Sequence, residues 1–168
     1  DESFSFLEKI TIFKAVGLWF VLNTRFIYLL YIIKVMNLKN EVALVTGASK
    51  GIGRQIALDL AGEGLKVGWV ARNAAGLKQL KEEIESNGGV ANYYIADVTN
   101  EQEVVEAVRN TYKDYGAIGL LVNNAGIFTL KYLTETSGDE FMKVLKTNLL
   151  GPFLFTREVV KVSPPEYI

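Results

Sequence analysis

Val42-Ala43-Leu44-Val45, followed by Thr46-Gly47-Ala48-Ser49-Lys50-Gly51-Ile52-Gly53, is the stretch that decides the fold. The four apolar residues are bounded by polar positions, which suits a central parallel strand covered on both faces. Beyond the glycines, Ile56, Ala57, Leu60 and Ala61 recur at helical spacing. The order is strand, glycine turn, helix. Glycines at that junction let an anion reach the first amides of the helix, because no Cβ stands in the way and the amide dipoles favour negative charge.

The same alternation repeats outward. Lys66-Val67-Gly68-Trp69-Val70 reads as a second strand and runs into Ala71-Arg72-Asn73. Leu77, Leu80, Lys81 and Ile84 mark a helix that Asn87-Gly88-Gly89 stops. Residues 90–95 form a third strand leading to Ala96-Asp97-Val98-Thr99, and Val104, Val105 and Val108 mark the helix after it. Thr99 or Asn100 is better placed than Asp97 to cap that helix. Ile118-Gly119-Leu120-Leu121-Val122 is a fourth strand, ending in Asn123-Asn124-Ala125-Gly126. From Asp139 through Phe141, Val144 and Leu145 to Val159 the spacing is helical, with a break at Thr147-Asn148-Leu149-Leu150-Gly151-Pro152, where the proline removes a backbone donor and bends the rod. Strands alternating with helices predict an α/β fold with a parallel sheet.

The turn is spaced T-G-x-x-x-G-x-G, not the commoner G-x-G-x-x-G. Together with Asn-Asn-Ala-Gly after the fourth strand, it resembles the short-chain dehydrogenase/reductase family, in particular members similar to 3-oxoacyl-carrier-protein reductases. The resemblance implies a Rossmann doubly wound sheet, with strand order 3-2-1-4 counted from Val42 and the later strands missing. It also implies roles. Gly47, Gly51 and Gly53, with Ser49 and Lys50 among them, would form the turn under a nicotinamide cofactor, with Ile52 near the nicotinamide side. Asp97 would meet the adenine amino group and Val98 the ring, with N-capping as the bland alternative for Asp97. Asn123 would stabilise the sheet, while Asn124, Ala125 and Gly126 lie on the cofactor side, the last two letting the chain pass close to the ribose. Asn148 would hold a water in a proton relay, or serve only as a satisfied buried amide. Gly119 departs from the pattern, since relatives often carry Asp there.

The end of the second strand meets the adenosine ribose in a Rossmann half, where an acid favours a free 2′-hydroxyl and a base a 2′-phosphate. No acid follows Val70, and Arg72 with Lys50 offers two cations for charge-assisted bonds to a phosphate. NADP(H) is therefore expected over NAD(H). Relatives transfer hydride to or from carbonyl and alcohol substrates with a Ser and a Tyr-x-x-x-Lys. None of the eight tyrosines here has Lys four residues later. The expectation is a reductase represented by a fragment, inactive as it stands; a non-catalytic NADP-binding module and a membrane-attached reductase are the alternatives. A homo-oligomer is expected of the full-length protein.

With no cysteine and no histidine, disulfides, zinc sites of the usual spacing and His-based triads are excluded, and no metal site is expected. A net charge of -1 offers no basic field for nucleic acid. Composition divides the chain into an apolar segment, 1–36, an incomplete nucleotide-binding domain, 37–161, and a divergent tail, 162–168. The stretch 15–33 approaches the ~20 residues of a membrane helix. Asn23, Thr24 and Arg25 interrupt it, and a central Arg costs roughly 2.5 to 3.5 kcal/mol on insertion. Three readings of the segment stay open: upstream sequence foreign to the protein, a membrane-associating helix, or a packed extra helix. A cytoplasmic location is expected, with membrane association through residues 10–35 as its alternative. A fourth strand without a fifth beside it predicts an open edge, hence poor stability of the chain alone.

Overall fold

The computed structural model describes residues 10–13 and 41–164. Five parallel strands form one sheet: β1 (Ile10–Phe13), β2 (Val42–Thr46), β3 (Lys66–Ala71), β4 (Val90–Ile95) and β5 (Ile118–Asn123), in the order β1-β5-β2-β3-β4. Apart from β1 this is the expected 3-2-1-4 order. The helices are α1 (Gly51–Gly62), α2 (Ala74–Ser86), α3 (Glu101–Tyr115), α4 (Gly138–Leu145) and α5 (Gly151–Val162).

Each sheet face carries its own apolar cluster, as continuous hydrophobic runs require. Val45, Val67, Trp69 and Val122 pack with Ile56, Leu60, Leu77 and Leu80 of α1 and α2. Leu44, Val70, Ile118 and Leu121 pack with Val104, Val108, Leu154 and Phe155 of α3 and α5. Asn100 caps α3, its side chain accepting from the Gln102 and Glu103 amides.

The expected open edge is corrected by β1. Ile10–Phe13 pairs in parallel with β5, from Ile10 opposite Leu120 to Phe13 opposite Asn123. Isoleucine, threonine and phenylalanine suit a pleated ladder, and pairing satisfies backbone groups that β5 would otherwise present unpaired. Where it is described, the apolar segment is therefore strand rather than helical extension. The candidate span 15–33 lies outside the described residues. Among the described residues no helix is long and apolar enough to cross a membrane.

Two further details differ from the expectations. Gly119 is a bulge: Val42 faces Ile118 but Ala43 faces Leu120, and a Cβ at 119 would lie 2.6 Å from a Glu41 carboxylate oxygen. The break before Pro152 is a π-helical turn, Lys146–Leu150, joining α4 to α5. Such a turn shifts the hydrogen-bond register, and Pro152 falls in the first turn of α5, where a missing donor is tolerated.

Candidate functional site

Because β2 to β5 are parallel, their C-terminal ends share one edge of the sheet, where open α/β sheets bind ligands. A cleft of about 960 Å³ opens there. Gly47, Ser49, Lys50, Gly51, Ile52 and Gly53 line it from the turn after β2. Arg72 joins from the end of β3, Asp97 and Val98 from beyond β4, and Asn124, Ala125 and Gly126 from beyond β5.

Gly47 and Gly51 have φ of 71° and 59°, a backbone region that side chains with a Cβ rarely enter. A Cβ on Gly51 would meet nothing within 4 Å, so the left-handed backbone alone calls for glycine there. Gly53 is different. A Cβ there would stand 2.3 Å from Asn124 Nδ2 and 2.6 Å from the Gly47 carbonyl oxygen. The turn and the Asn-Asn-Ala-Gly segment are thus one packed unit. Thr46 Oγ1 accepts from the amides of Asn124 and Ala125, both at 3.0 Å. Asn124 Nδ2 in turn donates to the carbonyls of Thr46 at 3.0 Å and Gly47 at 3.2 Å.

α1 starts from Lys50 in extended conformation, with no side-chain cap and no acid in its first turn. Its leading amides therefore offer an anion site that no carboxylate of the helix contests. Arg72 Nη1 lies 3.8 Å from Asp97 Oδ2. Partial burial pushes the Asp97 carboxyl up, but two hydrogen bonds from Thr99 and the Arg72 charge outweigh it, leaving the group below the usual carboxylate value. On the far wall Glu140 pairs with Lys131 and completes a capping box with Ser137 at the start of α4. Those partners, Lys131 first, hold the Glu140 carboxyl at about 2.

Asn148 stands behind the cleft. Its Oδ1 accepts from the Ile127 amide at 2.9 Å and its Nδ2 donates to the Ile127 carbonyl at 2.7 Å. The amide thus ties the π-helical turn to the segment after Gly126. Sequence reasoning missed Gly76, Lys143 and Thr147, which also line the cleft. A Cβ on Gly76 would come within 3.0 Å of the Ser49 carbonyl oxygen, so the first turn of α2 abuts the glycine turn. The small residues Ala74-Ala75-Gly76 were the available signal; Lys143 and Thr147 carried none.

A glycine turn feeding a helix at the C-terminal edge of a 3-2-1-4 parallel sheet defines a dinucleotide-binding α/β domain. Residues 41–163 match the family model described as short chain dehydrogenase, and the chain belongs to that family of oxidoreductases. It is 36% identical over 126 residues to an uncharacterized oxidoreductase of Thermotoga maritima, covering 75% of this chain and 49% of the relative. It is 40% identical over 123 residues to the 3-oxoacyl-[acyl-carrier-protein] reductase of Synechocystis, covering 73% and 50%. Among solved structures, a variant of actinorhodin polyketide ketoreductase with NADPH superposes with a TM-score of 0.71 at 38% identity, covering 73% of this chain and 47% of the other. A dehydrogenase/reductase from Sinorhizobium meliloti gives 0.74 at 34% identity, covering 79% and 53%. The chain spans about half the length of these relatives.

Proposed function

We propose that residues 41–163 bind NADP(H) and belong to an oxidoreductase that interconverts a carbonyl and an alcohol substrate. The observation carrying this reading is the meeting of the glycine turn, Lys50 and Arg72 in one cleft, with no acid at the end of β3. The α1 amides with Gly47, Ser49, Gly51 and Gly53 hold the pyrophosphate, and Lys50 and Arg72 hold the 2′-phosphate. Asp97 and Val98 hold the adenine, Asn124, Ala125 and Gly126 the ribose, and Ile52 the nicotinamide side. The cofactor supplies the hydride. The residues of this chain bind and orient it.

Within the 168 residues no Tyr is followed by Lys four positions on. Steady NADPH oxidation by these residues alone is not expected, whereas binding is. Exposed Phe141, Leu149, Phe153 and Val160, on α4, α5 and the turn between them, support assembly into a homo-oligomer in the full-length protein.

The test is a fluorescence titration of the 168-residue chain with NADPH and with NADH. Tighter NADPH binding is expected. Lys50→Ala and Arg72→Ala should each weaken NADPH about fivefold to tenfold, as loss of one charge-assisted contact implies. Equal affinity for the two cofactors in the unaltered chain, or NADPH binding indifferent to both substitutions, refutes the assignment.

A further inference from the structure

The Arg72–Asp97 pair stands on a wall common to two cavities. Both residues line the main cleft, and both line a second cavity of about 240 Å³ bordered by Lys143 and Lys146. The two oxygens of Asp97 have separate duties. Oδ1 accepts from the Thr99 amide at 2.9 Å and from its hydroxyl at 2.8 Å, which fixes the carboxylate in the turn before α3. Oδ2 faces Arg72 at 3.8 Å. The acid is therefore rigidly held and its partner is not, since the Arg72 side chain is 72% exposed.

We propose that Asp97 competes with the 2′-phosphate of NADP(H) for Arg72, and thereby limits the margin by which this site prefers the phosphorylated cofactor. The inference rests on the cofactor reading above. A guanidinium has five donors but a single charge. When a carboxylate already offsets that charge, an incoming phosphate gains less from it and is also repelled by the acid. NADH has no 2′-phosphate, so neither effect reaches it. Lys50 forms no ion pair among the described residues and supplies its charge undiminished. Of the two cations assigned to the 2′-phosphate, Lys50 is thus unshared and Arg72 is shared with an acid.

Asp97→Asn separates charge from shape. The amide oxygen can still accept both bonds from Thr99, while the negative charge is gone; an acceptor lost to the adenine amino group is lost to NADPH and NADH alike and leaves their ratio unmoved. Dissociation constants for NADPH and NADH are measured by fluorescence titration at low salt on the 168-residue chain, on Asp97→Asn, on Arg72→Ala and on the double variant. The ratio of NADPH to NADH affinity is expected to rise about threefold in Asp97→Asn, the scale of an exposed ion pair. That rise should be clearly smaller when Arg72 is Ala, where only direct repulsion by the acid remains, and should shrink in ~0.5 M salt, where screening is strong. NADH binding by Asp97→Asn reports that its site is folded; complete loss of NADH binding there means that Asp97 serves the fold or the adenine rather than the charge balance at Arg72, and overturns the proposal. An unchanged or lower ratio overturns it as well, as does a rise of undiminished size in the Arg72→Ala background. Failure of the unaltered chain to bind NADPH removes the cofactor reading and this inference with it, whereas NADPH binding with an unmoved ratio removes the inference alone.

Discussion

Replacing Gly53 with Ala is the sharpest probe of how the turn is built. Alanine in a helix is ordinarily favoured over glycine by about 1 kcal/mol. At position 53 a Cβ would lie 2.3 Å from Asn124 Nδ2, 2.6 Å from the Gly47 carbonyl oxygen and 3.1 Å from Ala48 Cα. Two of those three atoms are backbone and cannot swing aside. Displacing the Asn124 amide forfeits its bonds to the Thr46 and Gly47 carbonyls, at about 1 kcal/mol each. Overpacking adds about 1 to 3 kcal/mol. After the propensity gain is deducted, Gly53→Ala should destabilise by about 2 to 4 kcal/mol. Gly62, the last residue of the same helix, has nothing within 4 Å of its would-be Cβ, so Gly62→Ala should stabilise by up to about 1 kcal/mol. Urea unfolding of the 168-residue chain followed by far-ultraviolet circular dichroism reads both variants. The midpoints should move in opposite directions with an unchanged denaturant slope. A Gly53→Ala midpoint at or above that of the unaltered protein would refute the packing argument, because propensity would then have won.

Three other perturbations report on the same neighbourhood. Thr46→Val keeps the shape of a side chain only 2% exposed but removes the acceptor of two amides; a loss of about 2 to 5 kcal/mol is expected in urea unfolding, and a loss under 1 kcal/mol would mean that water replaces the hydroxyl. Asn148→Leu leaves the Ile127 amide and carbonyl without their side-chain partner. Hydrogen exchange at the Ile127 amide should accelerate at least tenfold, and unchanged protection would disprove the tie between the π-helical turn and the loop. Glu140 has its folded carboxyl held at about 2 against an ordinary 4.5. A depressed carboxyl contributes stability that is fully present above its unfolded pKa and is lost as pH falls through the folded one. The difference in midpoint between the unaltered chain and Glu140→Gln should therefore be constant above pH ~5 and close between pH ~4.5 and ~2; a difference that persists at pH ~2 rules this out.

Much of the fold was legible because its signals are local. Val42 to Val45 form an uninterrupted apolar run, as a strand buried on both faces must, and α2 and α3 carry their apolar residues on one side with stops and caps at the ends. What escaped the sequence depends on register and on neighbours far along the chain. Gly119 read as a missing acid, whereas its meaning lies in the bulge opposite Val42 and Ala43 and in the Glu41 carboxylate beside it. Ile10–Phe13 lies within an apolar stretch with no clear period, so nothing local marks it as strand. Its pairing with β5 is decided by the unsatisfied edge more than a hundred residues away.

The site divides along the same line. Residues at the ends of β2, β3, β4 and β5 reach one cleft because parallel strands bring their C-terminal ends together, so motifs far apart in sequence could be assigned to one place before any contact was known. Lys143 and Thr147 join them only through the way α4 and the π-helical turn lie across that edge, which no spacing encodes. Asn148 was legible as a polar residue in an apolar helix, but its partner was not. Each polar atom of its side chain bonds the Ile127 backbone, and only the approach of the π-helical turn to the loop that follows Gly126 brings the two together.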